Sequence, residues 1–157
     1  MKKLLVLLIL IGVLAVAGCA GNETSSNGAE DGYQDDEWLQ KADLWLYTMT
    51  LSAERLDESV SSLDFSKIEE DAAQLESTCS NALESSEQYN VSPSLQNAKS
   101  EYEAGIKDNI IAAKALQSAA KHIDSGDTDA AAASLDVASS YFESGSKHVS
   151  AASINMS

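Results

Sequence analysis

The chain predicts an all-α protein, an antiparallel up-down-up-down four-helix bundle behind a flexible N-terminal tether. Three observations carry that prediction. Apolar residues recur at alternating spacings of three and four in four successive segments, which places each set on one face of a helix. No segment alternates apolar and polar residues as a half-buried strand does. The connections are so short that neighbouring helices must reverse direction. The expected helices cover about 36–62, 66–89, 93–124 and 128–153, inside a domain spanning 36–157.

In the first segment Asp35 or Asp36 is placed to cap the helix, where acids suit the positive end of its dipole. The stripe is Leu39, Ala42, Leu46, Met49, Ala53, Leu56, Val60 and Leu63, with Trp38 and Trp45 widening it on one side. A second stripe starts at Phe65 and runs through Ile68, Ala72, Leu75, Cys79, Ala82, Ser86 and Tyr89. The step from Leu63 to Phe65 is out of phase with both. One unbroken helix would therefore turn its apolar face away from the core, so a tight turn is expected there. Ser66 with Glu69 reads as a capping box for the second helix, and Glu69, Glu70 and Asp71 as first-turn acids.

Pro93, the only proline, fits the first position of the third helix with Ser92 as its cap. The third stripe is Leu95, Ala98, Tyr102, Gly105, Asn109, Ala112, Leu116, Ala119 and Ile123, flanked by Ile106, Ile110 and Ala113. Lys121 and His122 sit in its last turn, and Gly126 stops it. Asp127 or Thr128 caps the fourth helix, whose stripe is Ala131, Leu135, Ala138, Phe142, Gly145, Val149 and Ala152. The seams are rich in Ala, Ser and Gly, which lets helices approach near the short end of the usual ~8–10 Å range. One internal echo stands out. Tyr102-Glu103-Ala104-Gly105-Ile106-Lys107 resembles Phe142-Glu143-Ser144-Gly145-Ser146-Lys147 at a period of forty residues. The Trp and Leu-Gly signature of tetratricopeptide repeats is missing, so similar composition is taken as its origin.

The N-terminus carries an address. Lys2 and Lys3 precede an apolar run from Leu4 to Ala17, fourteen residues long. A membrane-spanning helix needs about twenty apolar residues, whereas this length suits a signal peptide. The run ends in Val16-Ala17-Gly18-Cys19, which resembles a prokaryotic lipobox, with Val16 where Leu is usual. The resemblance covers only the first nineteen residues. It implies a lipoprotein: removal of the signal peptide 1–18, fatty chains such as palmitate on Cys19, and an extracytoplasmic location on the cell membrane. Two chains suffice for stable anchoring, at about 0.8 kcal/mol per buried methylene. An ordinary secretory signal and an uncleaved signal anchor are the competing readings. Residues 19–35 read as lipidated Cys19 plus a flexible acidic linker without periodicity, about 20 Å in root-mean-square reach. Asn22-Glu23-Thr24 fits a glycosylation acceptor.

Charge narrows the partners. Lys2 and Lys3 are two of ten basic residues, so the chain from Cys19 onward has eight against twenty-five acids, a net −17. Such a surface repels phosphate backbones, which argues against nucleic acid, and repels anionic headgroups, so the domain stands off the bilayer. With Cys19 lipidated, Cys79 has no intramolecular partner, and its place in the apolar register marks it as a buried, inert thiol.

No constellation points to an enzyme. The chain has no Glu-x-x-His pair, no Cys-x-x-Cys-His, no Gly-x-Ser-x-Gly and no glycine-rich phosphate loop. His122 is explained by the helix terminus, and Asp124, Asp127 and Asp129 by capping rather than calcium. No metal or cofactor is therefore expected. A ligand-binding or sensory bundle is the alternative reading, with His148 facing Met49 as a haem pair.

One feature asks for more than a core. Leu44, Tyr47 and Leu51 lie on the back of the first helix, at i, i+3 and i+7. A helix apolar all round is normally covered on both sides. The expectation is a non-catalytic module working by protein contact, with Leu44, Tyr47 and Leu51 meeting a partner protein or a second copy. The competing reading is that the first helix tilts into the bundle, or that the Tyr33 region folds over it.

The register of the third helix puts Leu116 at the centre of the core. A carboxylate there has no partner, a cost on the scale of the whole stability of a domain, about 5–15 kcal/mol. Leu116→Asp is expected to abolish the helical circular-dichroism signal at ambient temperature. Wild-type helicity and melting in this variant would contradict the register.

Overall fold

The computed structural model describes residues 32–156. The expected signal peptide, Cys19 and the linker up to residue 31, Asn22 included, lie outside the described residues. Four helices follow one another: α1 (Asp35–Ser62), α2 (Phe65–Glu87), α3 (Gln96–Asp124) and α4 (Thr128–Asn155). The fold is all-α, and its close packing is sequential, α1 on α2, α2 on α3, α3 on α4. Among the described residues no comparable α1·α4 seam closes the ring.

The periodic stripes became the core. Leu56, Val60, Ile68, Leu75, Cys79, Ile106, Leu116 and Phe142 are all buried, as are the small residues Ala42, Ala72, Ala98, Ala112 and Ala138. The out-of-phase step became the α1–α2 turn. Leu63 adopts a left-handed conformation, φ 56°, and its N–H and that of Asp64 bond back to Val60 and Ser59 carbonyls. That satisfies the helix end, and leaves Leu63 half exposed rather than on the core stripe. Gly126, with φ 79°, makes the corresponding reversal between α3 and α4.

Local capping departs from the expectation at three helix starts. Gln34, not Asp35 or Asp36, stands at the α1 N-cap; its side chain caps no backbone N–H and instead donates to Glu37 Oε2 at 3.2 Å. Asp35 Oδ1 instead accepts the Ser92 N–H at 2.8 Å. Asp64 caps α2 by accepting the Lys67 N–H, so Ser66 and Glu69 form no capping box. Glu69 to Asp71 consequently fall past the first turn. Glu69 pairs with Lys121 at 3.3 Å, and Asp71 accepts the Ser59 hydroxyl. The third helix begins at Gln96 rather than 93, because Ser92 to Leu95 form a separate turn in which the Ser92 carbonyl accepts from Leu95 and Gln96. Asp127 caps α4 through the Ala130 N–H, as its position suggested. The second helix stops two residues short of 89 and the fourth runs two beyond 153.

The loop between α2 and α3, at one end of the bundle, is tied to the entry of α1. Gln34 donates its N–H to the Asn90 carbonyl at 2.8 Å, and Asn90 donates back to Gln34 Oε1 at 3.3 Å. At the far end Val60, Phe65, Leu116, Ile123 and Leu135, from all four helices, surround an apolar hollow of about 10 Å³. That is the threshold for one water, and a site without polar partners stays dry.

The three seams cohere differently. Between α1 and α2, hydroxyls line the crossing: Ser52 and Thr78 are 3.2 Å apart, and Ser59 bonds Asp71. Between α2 and α3, Glu76 takes a hydrogen bond from Gln117 at 2.7 Å and lies 3.5 Å from Lys114. Between α3 and α4 the backbones themselves touch. A Cβ on Gly105 would sit 3.0 Å from the Gly145 carbonyl oxygen and 2.9 Å from Val149 Cγ2. One on Gly145 would sit 3.1 Å from the Gly105 oxygen and 3.2 Å from Asn109 Nδ2. The two glycines of the forty-residue echo thus face each other across this seam. In an antiparallel hairpin, positions equidistant from the turn oppose each other, and Gly105 and Gly145 are each twenty residues from Ser125.

Backbone atoms cannot yield as side-chain ends do, so a methyl at this crossing must spread the helices. Gly105→Ala and Gly145→Ala are each expected to cost about 1–3 kcal/mol, the range for overpacking a tight site. Urea titration followed by circular dichroism reads this directly. An unchanged midpoint in both variants would contradict the crossing.

Candidate interaction surface

The rotation of α1 decides what it shows to water. Trp38 is fully buried, and its indole N–H donates to Ser86 Oγ of α2 at 3.1 Å. Ser86 in turn donates to Glu103 Oε1 of α3 at 2.9 Å. Lys99 Nζ stands 3.6 Å from the same carboxylate oxygen and donates to the Tyr89 carbonyl at 2.6 Å. The indole packs edge-on against Tyr102, ring centroids 5.9 Å apart. One turn-pair further, Trp45 meets Tyr89 at 6.1 Å and Tyr102 at 6.2 Å. Large aromatic contacts of this type contribute about 0.5–1.5 kcal/mol each beyond their burial.

With both tryptophans inward, the opposite face of α1 is outward. Leu44, Tyr47 and Leu51 are 51%, 62% and 39% exposed. No tilt of α1 buries them and Tyr33, itself 38% exposed, does not cover them. The structure therefore places the three sequence-selected residues together on one solvent-facing stripe. Other exposed apolar side chains, Ile111 of α3 with Val137 and Tyr141 of α4, fall outside the core stripes on the far pair of helices. Sequence reading missed them because each adjoins a core residue, Ile111 next to Ile110 and Ala112, Val137 next to Ala138, Tyr141 next to Phe142, and so passes for the margin of a core stripe.

The remaining candidates resolve into structural roles. His148 Nδ1 lies 2.6 Å from Glu101 Oε2, with Asp108 Oδ2 3.9 Å from Nε2, so the ring bridges α3 and α4. Met49 is buried on α1, which does not pack along α4, so the supposed haem pair is not brought together. Among the described residues no three His, Cys, Asp or Glu side chains are placed to hold a metal. Nor does any described helix have the length and apolarity to cross a membrane. His122 stays in the last turn of α3, where a cation suits the dipole. The Tyr102 hydroxyl and Asn109 Oδ1 are buried without a partner among the described residues, although Asn109 Nδ2 donates to the Gly105 carbonyl at 2.9 Å.

No protein-family model, curated protein or solved structure matches this chain.

Cys79 is fully buried, and burial pushes its thiol up to about 12. Burial, then Cys79 and Asp43, push the Tyr102 hydroxyl up as well. An unfolded cysteine ionises near pH ~8.5, so from there upward the unfolded chain releases a proton that the folded one keeps. The stabilisation from Cys79 is thus full below that pH and is lost as pH rises toward 12. The urea midpoint is expected to fall more steeply between about pH 9 and 11 in the wild type than in Cys79→Ala. Parallel slopes would show that the thiol is not sheltered.

Proposed function

We propose that this chain is an extracytoplasmic lipoprotein, held to the cell membrane through lipid on Cys19, whose helical domain works without catalysis by binding another protein. The observation that carries the contact is the exposure of Leu44, Tyr47 and Leu51 on a helix whose core face is already filled by Trp38 and Trp45. A helix with a saturated inner face gains nothing for its own fold from a second apolar stripe. Tyr47 is of a type favoured as an interface anchor, and the leucines beside it enlarge the exposed apolar patch. Supporting the anchor are the Val16-Ala17-Gly18-Cys19 motif and the short apolar run before it. Supporting a location away from the lipid surface is the strongly acidic composition, which anionic headgroups repel.

Two measurements test the two halves of the reading. Mass spectrometry of the membrane fraction is expected to find diacylglyceryl on Cys19 as the first residue, and a lipid-free N-terminus in the soluble fraction would overturn the anchor. A photo-crosslinking amino acid in place of Tyr47 is expected to give a covalent adduct in intact cells. The same group in place of exposed Ser80, on α2, is the control. No adduct from Tyr47, or equal adducts from both, would overturn the contact role.

A further inference from the structure

We infer that the α1 outer face takes a basic amphipathic helix of a partner protein, rather than a second copy of this chain or its own linker; this rests on the contact role proposed above. The apolar stripe does not stand alone. Asp36, Asp43 and Glu54 are spaced by seven and eleven residues, close to two and three helical turns, so they form a single line beside Tyr47. Glu58 extends that line toward the end of α1. All four are exposed, and none forms an ion pair among the described residues. On the other helices carboxylates are of both kinds. Glu69, Glu76, Glu101 and Glu103 each lie within 4 Å of a lysine or histidine nitrogen. Glu70, Glu84 and Glu87 form no ion pair among the described residues, like the α1 line, but they flank no exposed apolar stripe there. The two cations flanking the stripe on its other side, Lys41 and Arg55, leave the line of carboxylates unneutralised.

Three occupants compete for this surface. The linker from Ala20 to Asp31 has no apolar side chain larger than alanine, and it adds Glu23, Glu30 and Asp31 to an already acidic rim. It can neither fill the stripe nor neutralise the charge. A second copy brings Leu44, Tyr47 and Leu51, but an antiparallel twofold contact sets one carboxylate line against the other, and a parallel one offers each line of four carboxylates only Lys41 and Arg55. Like charges so juxtaposed oppose association, and each copy carries a net −17 from Cys19 onward. A helix with an apolar ridge and lysines or arginines along one flank satisfies both features at once. Its ridge covers Leu44 and Leu51 as in helix-on-helix recognition, and its cations lie on the Asp43–Glu54 line.

The test uses the full chain in phosphatidylcholine nanodiscs, with empty discs as background, and three fluorescent peptides of about 18 residues, five turns. One has a leucine ridge with lysine flanks, one the same ridge with glutamate flanks, and one a serine ridge with lysine flanks. The Leu/Lys peptide is expected to bind at least about tenfold more tightly than either other, ~1.4 kcal/mol in binding free energy. Leu44→Ser/Leu51→Ser, with unchanged helicity, is expected to lose about tenfold. Asp43→Asn/Glu54→Gln is expected to lose several-fold and to flatten the salt dependence. Equal affinity for the Leu/Glu peptide would overturn the basic partner and leave the contact role standing. So would sedimentation showing a dimer that Leu44→Ser/Leu51→Ser dissociates. Peptide binding indifferent to every α1 variant would also overturn the inference, while the contact role itself stands or falls on the Tyr47 adduct.

Discussion

The hydrogen bond from the Trp38 indole to Ser86, continued to Glu103, is the constraint on which the arrangement of α1 depends. A buried indole N–H left unpaired costs about 1–3 kcal/mol, so the ring has one favourable orientation and the helix one favourable rotation about its axis. Because Ser86 is on α2 and Glu103 on α3, the same chain of atoms sets the spacing of three helices. Lys99 closes it by holding both Glu103 and the Tyr89 carbonyl at the end of α2. The outward direction of Leu44, Tyr47 and Leu51 follows from this inner bond and needs no contribution of its own.

The molecule is held together in two unlike ways. At the α1 side, cohesion comes from area: Trp38, Trp45 and Tyr102 are large, and the backbones need not touch. At the α3·α4 side, cohesion comes from proximity, with two glycines allowing carbonyl oxygens to lie against the facing chain. Dispersion between atoms falls steeply with distance, so a seam of small residues is as effective as a seam of large ones only when it is this tight. The sequential order of packing reflects the same division. Each helix is bound chiefly to its chain neighbour, and aromatic side chains reach from α1 across to α3.

Most of the fold was legible because burial obeys periodicity. The four stripes apart from Leu63, the phase break at Leu63 to Phe65 and the buried Cys79 all follow from spacing alone and hold in the structure. The outward stripe of α1 was legible for the same reason, since Leu44, Tyr47 and Leu51 are residues that periodicity cannot assign to the core. Caps were less legible. Asp64, Ser66 and Asp35 are equally good capping residues by type, and the choice among them depends on tertiary bonds such as Asp35 to Ser92, fifty-seven positions away. The Pro93 start failed similarly, because the Ser92 carbonyl was committed to a preceding turn. The glycine crossing was written in the sequence as an echo, but its meaning requires knowing that Ser125 is the midpoint of a hairpin. Periodicity identifies faces; it does not identify which faces meet.

The paired bonds between Gln34 and Asn90 have a mechanical consequence. The chain reaches α1 from residue 31, so any tension arriving from the N-terminal side loads this junction before the first turn of the helix. Asn90 lies between α2 and α3, and the force is therefore shared sideways into two helices. A pull that would otherwise fall on the tip of α1 alone is carried in part by the loop between α2 and α3.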